Sequence, residues 1–209
     1  PAGLYALAGG EESLAARVAL IEAAQRSLDI QYYIWRDDRS GLYLLETIRR
    51  AADRGVRVRL LLDDNNTVGL DETLAVLDAH PEIEVRLFNP FPHRKARLLD
   101  YLADFSRLHR RMHNKSLTAD GQATIIGGRN IGDEYFDAVS ESAFADLDVL
   151  AVGPIVAQVA ADFDRYWASR SAYPLATLVA APERAVVEER LAALTAAGAE
   201  FGAHHDEQA

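Results

Sequence analysis

Apolar and polar residues follow one another in a regular order along the first half of the chain. Stretches with apolar residues at every third or fourth position are typical of amphipathic helices, and stretches rich in β-branched and aromatic residues are typical of strands. Each of three predicted helices precedes a predicted strand, the pairs being 13–26 with 28–35, 41–53 with 56–64, and 70–80 with 83–89. This α-β-α-β-α-β order predicts an α/β fold, in which helices cover a central sheet.

The second half of the chain continues with more strands and fewer helices. Asp120-Gly121, a dipeptide favoured in tight hairpin turns, joins two of the predicted strands. The predicted segments are an irregular or helical insertion at 89–110, strands at 111–120, 122–128 and 145–153, a helix at 154–169, a linker at 171–184, a helix at 182–197 and a polar tail.

The composition is that of a soluble globular domain. With 209 residues, of which 49% are apolar, the chain can bury a sizeable core. The absence of cysteine excludes disulfides, thiolate metal sites and a cysteine nucleophile. The longest uncharged run, Val149 to Ala161, is too short to span a bilayer, so no transmembrane segment is predicted in this chain.

Charge is distributed unevenly along the chain. The formal net charge is −10, which argues against a general nucleic-acid binder, since such proteins need a basic surface. Between His93 and Lys115, however, there are seven Arg or Lys residues and two Asp residues, a local charge of +5. A basic run is often only a solvated face, but this one leads into a candidate site and therefore favours an anionic substrate.

The motif H-x-K-x-x-x-x-D occurs twice, and each copy contains one of the two lysines of the chain. The upstream copy is His93, Lys95 and Asp100, and the downstream copy is His113, Lys115 and Asp120. Side chains two positions apart share a face of a strand but diverge on a helix. The upstream copy lies in a segment with helical spacing, whereas the downstream copy lies in a predicted strand and is followed by GGRN. We therefore interpret the downstream copy as the site and the upstream copy as coincidence.

The stretch from His113 to Asn130, HNKSLTADGQATIIGGRN, resembles the H-K-D signature of the phospholipase D superfamily. The segments RVALIEAAQRSLDIQYYIWRDD, RRAADRGVRVRLLLDD and DLDVLAVGP are similar to the amino-terminal half of bacterial cardiolipin synthase-like members. The resemblance implies a phospholipase D-like α-β-α sandwich with a mixed, largely parallel central sheet, a single half of the usual two-domain pseudo-twofold unit. We expect residues 1–170 to form this catalytic half-domain, and residues 171–209 to form a linker, helix and polar tail leading to a second half.

The resemblance also implies roles for individual residues. His113 would attack phosphorus as a neutral imidazole and form a phosphohistidine, while Lys115 would bind a non-bridging phosphate oxygen. Asn130 is expected to donate its side-chain amide to the phosphate, and Gly127 and Gly128 to let the backbone approach it closely. The glycine pair fits a simple strand-ending turn equally well. The family mechanism needs no metal or cofactor.

Several acidic residues are open to more than one interpretation. Asp120 belongs to the catalytic motif, but Asp before Gly is also what a hairpin turn needs, so we interpret it as ordering the turn. In related enzymes a carboxylate on a later strand holds the second nitrogen of the nucleophilic histidine. Asp146 lies nearest that position, and Asp148, with the same strand parity, is the rival. The pair Asp63 and Asp64 resembles a metal-binding cluster, which we interpret as loop structure or the rim of the site.

Members of this superfamily build one active site from two H-K-D motifs, and the second histidine acts as general acid and then as base. In this chain only the downstream copy of the motif lies in a predicted strand that is followed by GGRN. The only methionine is Met112, so residue 1 is not an initiating methionine. We therefore expect either a piece of a longer protein or a homodimer. The isolated chain is expected to have little or no activity.

Three functions are compatible with these features. The first is a phosphatidyltransferase similar to cardiolipin synthase, with an anionic phospholipid such as phosphatidylglycerol as substrate and a second H-K-D half or a homodimer mate as protein partner. The alternative is a phospholipase D or a nuclease that hydrolyses phosphodiesters as a homodimer, although the net charge disfavours nucleic acid. A non-catalytic membrane scaffold is disfavoured by the intact His113, Lys115 and Asn130. We expect association with a membrane surface in a bacterial cell, and either the cytoplasmic or the periplasmic face is compatible with the sequence.

Overall fold

The computed structural model of the chain describes residues 2–91, 111–136 and 146–206, with side chains as far as residue 200. The helices are α1 (Gly10–Ala23), α2 (Arg39–Asp53), α3 (Asp71–Asp78), α4 (Pro154–Trp167) and α5 (Arg184–Asp206). The strands are β1 (Gly3–Leu7), β2 (Ser27–Tyr32), β3 (Arg57–Asp63), β4 (Ile83–Phe88), β5 (Ser116–Ala119), β6 (Ala123–Gly127), β7 (Asp148–Val152) and β8 (Ala172–Pro174). Every helix and strand predicted within these ranges is present.

The eight strands of the described residues form one sheet in the order β1-β7-β6-β5-β2-β3-β4-β8. The neighbours β2, β3 and β4 are parallel, and all other neighbouring pairs are antiparallel. The sheet is therefore mixed, as predicted. The expectation of a largely parallel sheet is corrected, because consecutive strands β5, β6 and β7 add antiparallel neighbours and both edge strands are antiparallel as well.

Helices cover both faces of the sheet. Along β3, Leu60 and Leu62 pack into a large core with residues of α1, α2 and α3, whereas Leu61 packs on the other face with Phe163 and Trp167 of α4. Successive side chains of a strand point to opposite faces, so this alternation places β3 between two helical layers. The fold is thus the α-β-α sandwich expected from the sequence. No helix of the described ranges is long and apolar enough to cross a membrane.

The two edge strands are not predicted by the sequence. In β1 only Leu7 is buried, so the strand lacks the alternation by which strands are recognised. The other edge strand, β8, has three residues and lies inside the segment 171–184, where a linker is expected. It pairs with β4, and the following Leu175 is buried in the core.

The last helix packs against the same domain. Leu194 of α5 is buried in the large core, and Arg190 donates to the carboxylate of Glu72 on α3 at 2.5 Å. The part of the chain expected to be a linker and an appended helix therefore adds to the sheet and the core of the same domain. The upstream motif copy, His93, Lys95 and Asp100, lies outside the described residues.

Candidate active site

Four polar side chains and one glycine gather at one edge of the sheet. Tyr33 follows the end of β2, Asp63 ends β3, His113 precedes β5, Gly127 ends β6 and Asp148 begins β7. Because β5 and β7 run antiparallel to β2 and β6 respectively, their starts lie at the same edge as the carboxyl ends of β2, β3 and β6. The carboxyl edge of the parallel strands is where ligands of open α/β sheets usually bind.

The side chains of His113 and Lys115 meet on the ring of Tyr33. The imidazole of His113 stacks on this ring with 4.0 Å between centroids and an interplanar angle of 24°. The Lys115 Nζ lies 5.5 Å from the centroid of the same ring and donates to the backbone oxygen of His113 at 2.8 Å. The predicted strand begins only at Ser116, so contact with Tyr33, and not strand geometry, places the two side chains next to each other.

Lys115 is partly buried, and this changes its basicity. Burial lowers the pKa of the Lys115 amine, while the carboxylates of Asp146 and Asp148 raise it again in part. The net pKa remains below the ordinary value of a lysine. A phosphate group bound at the amine would oppose the effect of burial, because a nearby opposite charge favours the charged form.

A groove of about 390 Å³ runs between this edge and α4. Its walls include His113, Lys115 and Gly127 on the sheet side and Gln158 and Asp162 on α4. This volume lies in the range of small-molecule sites. Within the motif, Asn114 Nδ2 donates to Asp162 Oδ2 at 3.0 Å, so the segment that carries His113 is tied to α4.

The glycine pair at the end of β6 lies against the acidic residues that precede and begin β7. A Cβ atom on Gly127 would lie 2.5 Å from the backbone oxygen of Leu147 and 2.6 Å from the Cα of Asp148. A Cβ atom on Gly128 would collide with the carboxylate of Asp146. The absence of side chains at these two positions thus lets β6 and the start of β7 approach closely, and Gly127 also contributes to the groove.

The two rival carboxylates have different surroundings. Asp148 is fully buried and accepts from Ser13 Oγ at 2.6 Å, from Arg17 Nη2 at 2.9 Å and from the backbone N–H of Arg129 at 3.2 Å. Asp146 is partly exposed, and its carboxylate acts on Lys115. Within the described residues no hydrogen bond links either acid to the imidazole of His113.

Asn130 is buried next to the backbone that follows Tyr33, the residue whose ring stacks on His113. Its side-chain oxygen accepts the backbone N–H of Ile34 at 3.0 Å, and its amide lies within hydrogen-bonding reach of the Tyr135 hydroxyl. Asn130 is not among the residues that form the walls of the groove. Its contacts fix the backbone immediately after Tyr33.

Asp120 lies at the opposite edge of the sheet from His113. They are seven positions apart along a largely extended segment, or roughly 23 Å at about 3.3 Å per residue. The carboxylate of Asp120 accepts the backbone N–H groups of Gln25, Arg26 and Ser27 at 3.0, 2.7 and 2.9 Å. Through these contacts Asp120 orders the turn and joins it to the start of β2.

The acidic pair at the end of β3 is occupied by protein donors. Asp63 accepts the backbone N–H groups of Asn65 and Met112, and Asp64 accepts that of Phe91 at 2.7 Å and the Thr67 hydroxyl at 2.9 Å. Across residues 2–91, 111–136 and 146–200, no cluster of three or more histidine and acidic side chains is suited to a metal ion.

Sequence reasoning misses two residues of this edge. Tyr33 is one of two adjacent tyrosines, and only its strand parity with Gln31 distinguishes it as the one that lies on the same face as His113. Arg17 lies in the first helix, 131 residues from its partner Asp148. The polar residues at 13 and 17, one helical turn apart on an otherwise apolar helix face, are the signal that points to a buried polar partner.

The chain belongs to the family described as "Cardiolipin synthase, PLD-like domain", where PLD denotes phospholipase D; the family model matches residues 18–167. The chain is 59% identical over 181 residues to cardiolipin synthase C of Escherichia coli (strain K12), and the match covers 87% of this chain and 38% of that protein. The chain spans less than two fifths of the length of the curated relatives it matches.

Solved structures show the same fold at low sequence identity. NucT from Helicobacter pylori has a TM-score of 0.63 and 15% identity, covering 83% of this chain and 98% of that one. Phosphatidylserine synthase from Haemophilus influenzae Rd KW20 has a TM-score of 0.65 and 15% identity, covering 95% of this chain and 43% of that one.

Proposed function

We propose that the chain is the amino-terminal catalytic half of a phosphatidyltransferase of the cardiolipin synthase type. Such an enzyme transfers a phosphatidyl group from one phospholipid to the hydroxyl of another. The observation that carries the proposal is the convergence of His113 and Lys115 on one groove at the carboxyl edge of the sheet. The identity of 59% to cardiolipin synthase C over most of the chain supports the assignment to lipids.

The reaction proceeds in two steps, with a phosphohistidine between them. In the first, an imidazole nitrogen of His113 forms a bond to phosphorus as the bond from phosphorus to the leaving alcohol breaks, and the leaving oxygen takes a proton from a general acid. In the second, the acceptor hydroxyl gives its proton to that same group while its oxygen bonds to phosphorus and the nitrogen–phosphorus bond breaks. Lys115 pairs with a non-bridging oxygen in both steps, which stabilises the charge of the transition states.

The general acid is assigned to a second H-K-D half. The match to only 38% of cardiolipin synthase C and 43% of the phosphatidylserine synthase chain supports the view that this chain is one half of a two-part unit. The partner is therefore the second half of a longer protein or a second copy of this chain. A lipid substrate also places the protein at a membrane surface in a bacterial cell, and the basic segment 93–115 suits anionic headgroups.

The decisive assay supplies the full-length protein with labelled phosphatidylglycerol in vesicles and measures labelled cardiolipin. We expect product from wild type and a fall of at least about a thousandfold in His113→Ala, since removal of a nucleophile abolishes the covalent route. The matched control is His93→Ala. This variant removes the corresponding histidine of the upstream motif copy and is expected to retain activity.

Other products would contradict the proposal in recognisable ways. Phosphatidic acid in place of cardiolipin would assign the protein to the phospholipase D alternative, and cleavage of DNA would assign it to the nuclease alternative. Turnover by the monomeric 209-residue chain would contradict the division of the site between two halves. Sedimentation analysis of this chain separates a monomer from an active homodimer.

A further inference from the structure

The imidazole of His113 is oriented by a ring contact. His113 is exposed, and within the described residues no group hydrogen bonds either of its ring nitrogens. Its close ring contact is the face of Tyr33, 4.0 Å away and nearly parallel. Rotation of a histidine ring about its last side-chain torsion is otherwise broad, so a stacked aromatic face restricts the plane of the ring and leaves its nitrogen-bearing edges open.

The backbone holds Tyr33 firmly in this place. The N–H of Ile34 donates to Asn130 Oδ1 at 3.0 Å, and the oxygen of Ile34 accepts the N–H of Ile131 at 3.1 Å. The preceding Tyr32 points into the core on the other face of the sheet, where it is fully buried. The backbone of Tyr33 is therefore anchored on both sides, and its ring lies against the side chain of His113.

We propose that Tyr33 is a positioning residue for the nucleophile, a role that rests on the function proposed above. Its ring sets the plane in which the His113 nitrogen meets phosphorus. It also faces the positive charge that spreads over the imidazole when the nitrogen–phosphorus bond forms. The negative face of an aromatic ring attracts such a cation, and the Lys115 Nζ lies 5.5 Å from the centroid of the same ring. Tyr33 thus links the two catalytic side chains, and it is not among the residues that form the walls of the groove.

Kinetics of the full-length protein test the proposal. We expect Tyr33→Leu to lower kcat for cardiolipin formation about tenfold, with KM changed less than about twofold, because the contact acts on the transition state and not on substrate binding. Tyr33→Phe keeps the ring and is expected to stay within about twofold of wild type. The matched control is Tyr173→Leu, which removes an exposed tyrosine of β8. Tyr33→Met gives the same test if the leucine variant does not fold.

A second measurement does not depend on activity. Proton NMR of the 209-residue chain should show the His113 ring protons shifted upfield by the Tyr33 ring current in wild type and Tyr33→Phe, and released in Tyr33→Leu. His113→Ala assigns these resonances. If wild type forms no cardiolipin but shows this pattern, the stacking stands and the proposed substrate is wrong. Absence of the upfield shift in wild type, an undiminished kcat in Tyr33→Leu, or an equal loss in Tyr33→Phe would overturn the proposal.

Discussion

The carboxylate of Asp63, at the end of β3, accepts the backbone N–H of Met112 at 2.8 Å, and Met112 directly precedes His113. The same carboxylate accepts the N–H of Asn65 at 3.0 Å and Arg111 Nη1 at 3.1 Å. Burial raises the pKa of Asp63, and these donors offset the effect only in part. One fully buried side chain therefore connects the central sheet to the segment that carries the candidate nucleophile.

Asp63→Asn tests this connection. The amide nitrogen cannot accept a hydrogen bond, so at least one buried donor loses its acceptor, and we expect the free energy of unfolding to fall by about 2–3 kcal/mol. The activity of the full-length protein should fall as well, because the segment before His113 loses its anchor. The control is Asp78→Asn, whose carboxylate accepts the N–H of Val85 at 2.7 Å away from the groove. An Asp63→Asn protein with wild-type kcat and urea stability would contradict the role.

Asp120→Asn should change stability in a pH-dependent way. Burial alone raises the pKa of Asp120, but the N–H groups of Ser27, Gln25 and Arg26 and the Arg26 charge lower it more, so the net pKa is depressed. A depressed pKa stabilises the fold above the unfolded-state value, and this stabilisation is lost as the pH falls through the folded-state value. We expect the variant to lose about 1 kcal/mol at pH 7 and the difference from wild type to shrink below about pH 4.

Asparagine is the suitable replacement because Asp120 has a φ of 54°, a conformation that Asn tolerates well. Urea unfolding at a series of pH values measures the difference. The full-length Asp120→Asn protein should keep its kcat, since the turn lies at the edge opposite His113. A large loss of kcat in a well-folded Asp120→Asn protein would instead assign Asp120 to catalysis.

The two glycines of GGRN should respond differently to alanine. A Cβ atom on Gly127 meets backbone atoms of Leu147 and Asp148, so the strands must separate, and we expect a loss of about 3 kcal/mol in unfolding free energy. A Cβ atom on Gly128 meets only the side chain of Asp146 among its nearest neighbours, which can rotate away, and a loss below about 1 kcal/mol is expected. Thermal unfolding of both variants measures the contrast, and equal losses would contradict it.

Replacement of Asp146 and of Asp148 by Asn should lower the free energy of unfolding by different amounts. Asp148→Asn leaves the buried guanidinium of Arg17 without its anionic partner, so we expect a loss of about 3–5 kcal/mol in unfolding free energy. Asp146→Asn should change stability by less than about 0.5 kcal/mol, because its carboxylate is partly exposed and makes no hydrogen bond within the described residues. A stable Asp146→Asn protein with reduced kcat would favour Asp146 as the acid that orients His113.

The pH dependence of Asp146→Asn gives an independent check. Burial lowers the pKa of Lys115, and the carboxylate of Asp146 raises it in part. Without that carboxylate the amine loses its proton at a lower pH. We expect the alkaline limb of kcat/KM of the full-length protein to move to lower pH in Asp146→Asn, and to stay in place in the control Glu134→Gln. An unchanged alkaline limb would mean that Lys115 does not control it.

Much of the fold follows from local sequence patterns. Helices α2 and α4 and most strands carry apolar residues at a clear period, so they are recognised without knowledge of their neighbours. The edge strands escape recognition because β1 buries one side chain and β8 is too short to show alternation. The mixture of strand directions depends on how β5, β6 and β7 join the sheet, which is a property of tertiary pairing.

The candidate site is predicted only where a motif is contiguous in sequence. His113 and Lys115 are found through their spacing. The contacts of Tyr33 with His113 and of Arg17 with Asp148 join residues far apart in the chain. The spacing of residues 13 and 17 indicates a buried polar partner, but it does not identify Asp148 as that partner. Asp146 and Asp148 are equivalent by strand parity, and the buried guanidinium of Arg17 is what makes their surroundings different.

The neighbouring tyrosines at the end of β2 impose a parity rule on changes in chain length. Tyr32 accepts a hydrogen bond from Arg17 Nε in the core at 3.0 Å, and Tyr33 stacks on His113 on the other face. A deletion of one residue within β2 would keep both tyrosines but exchange the faces of the sheet to which they point, because successive side chains of a strand point to opposite faces. A deletion of two residues preserves the faces. Length variants of this strand that keep the site should therefore differ by even numbers of residues.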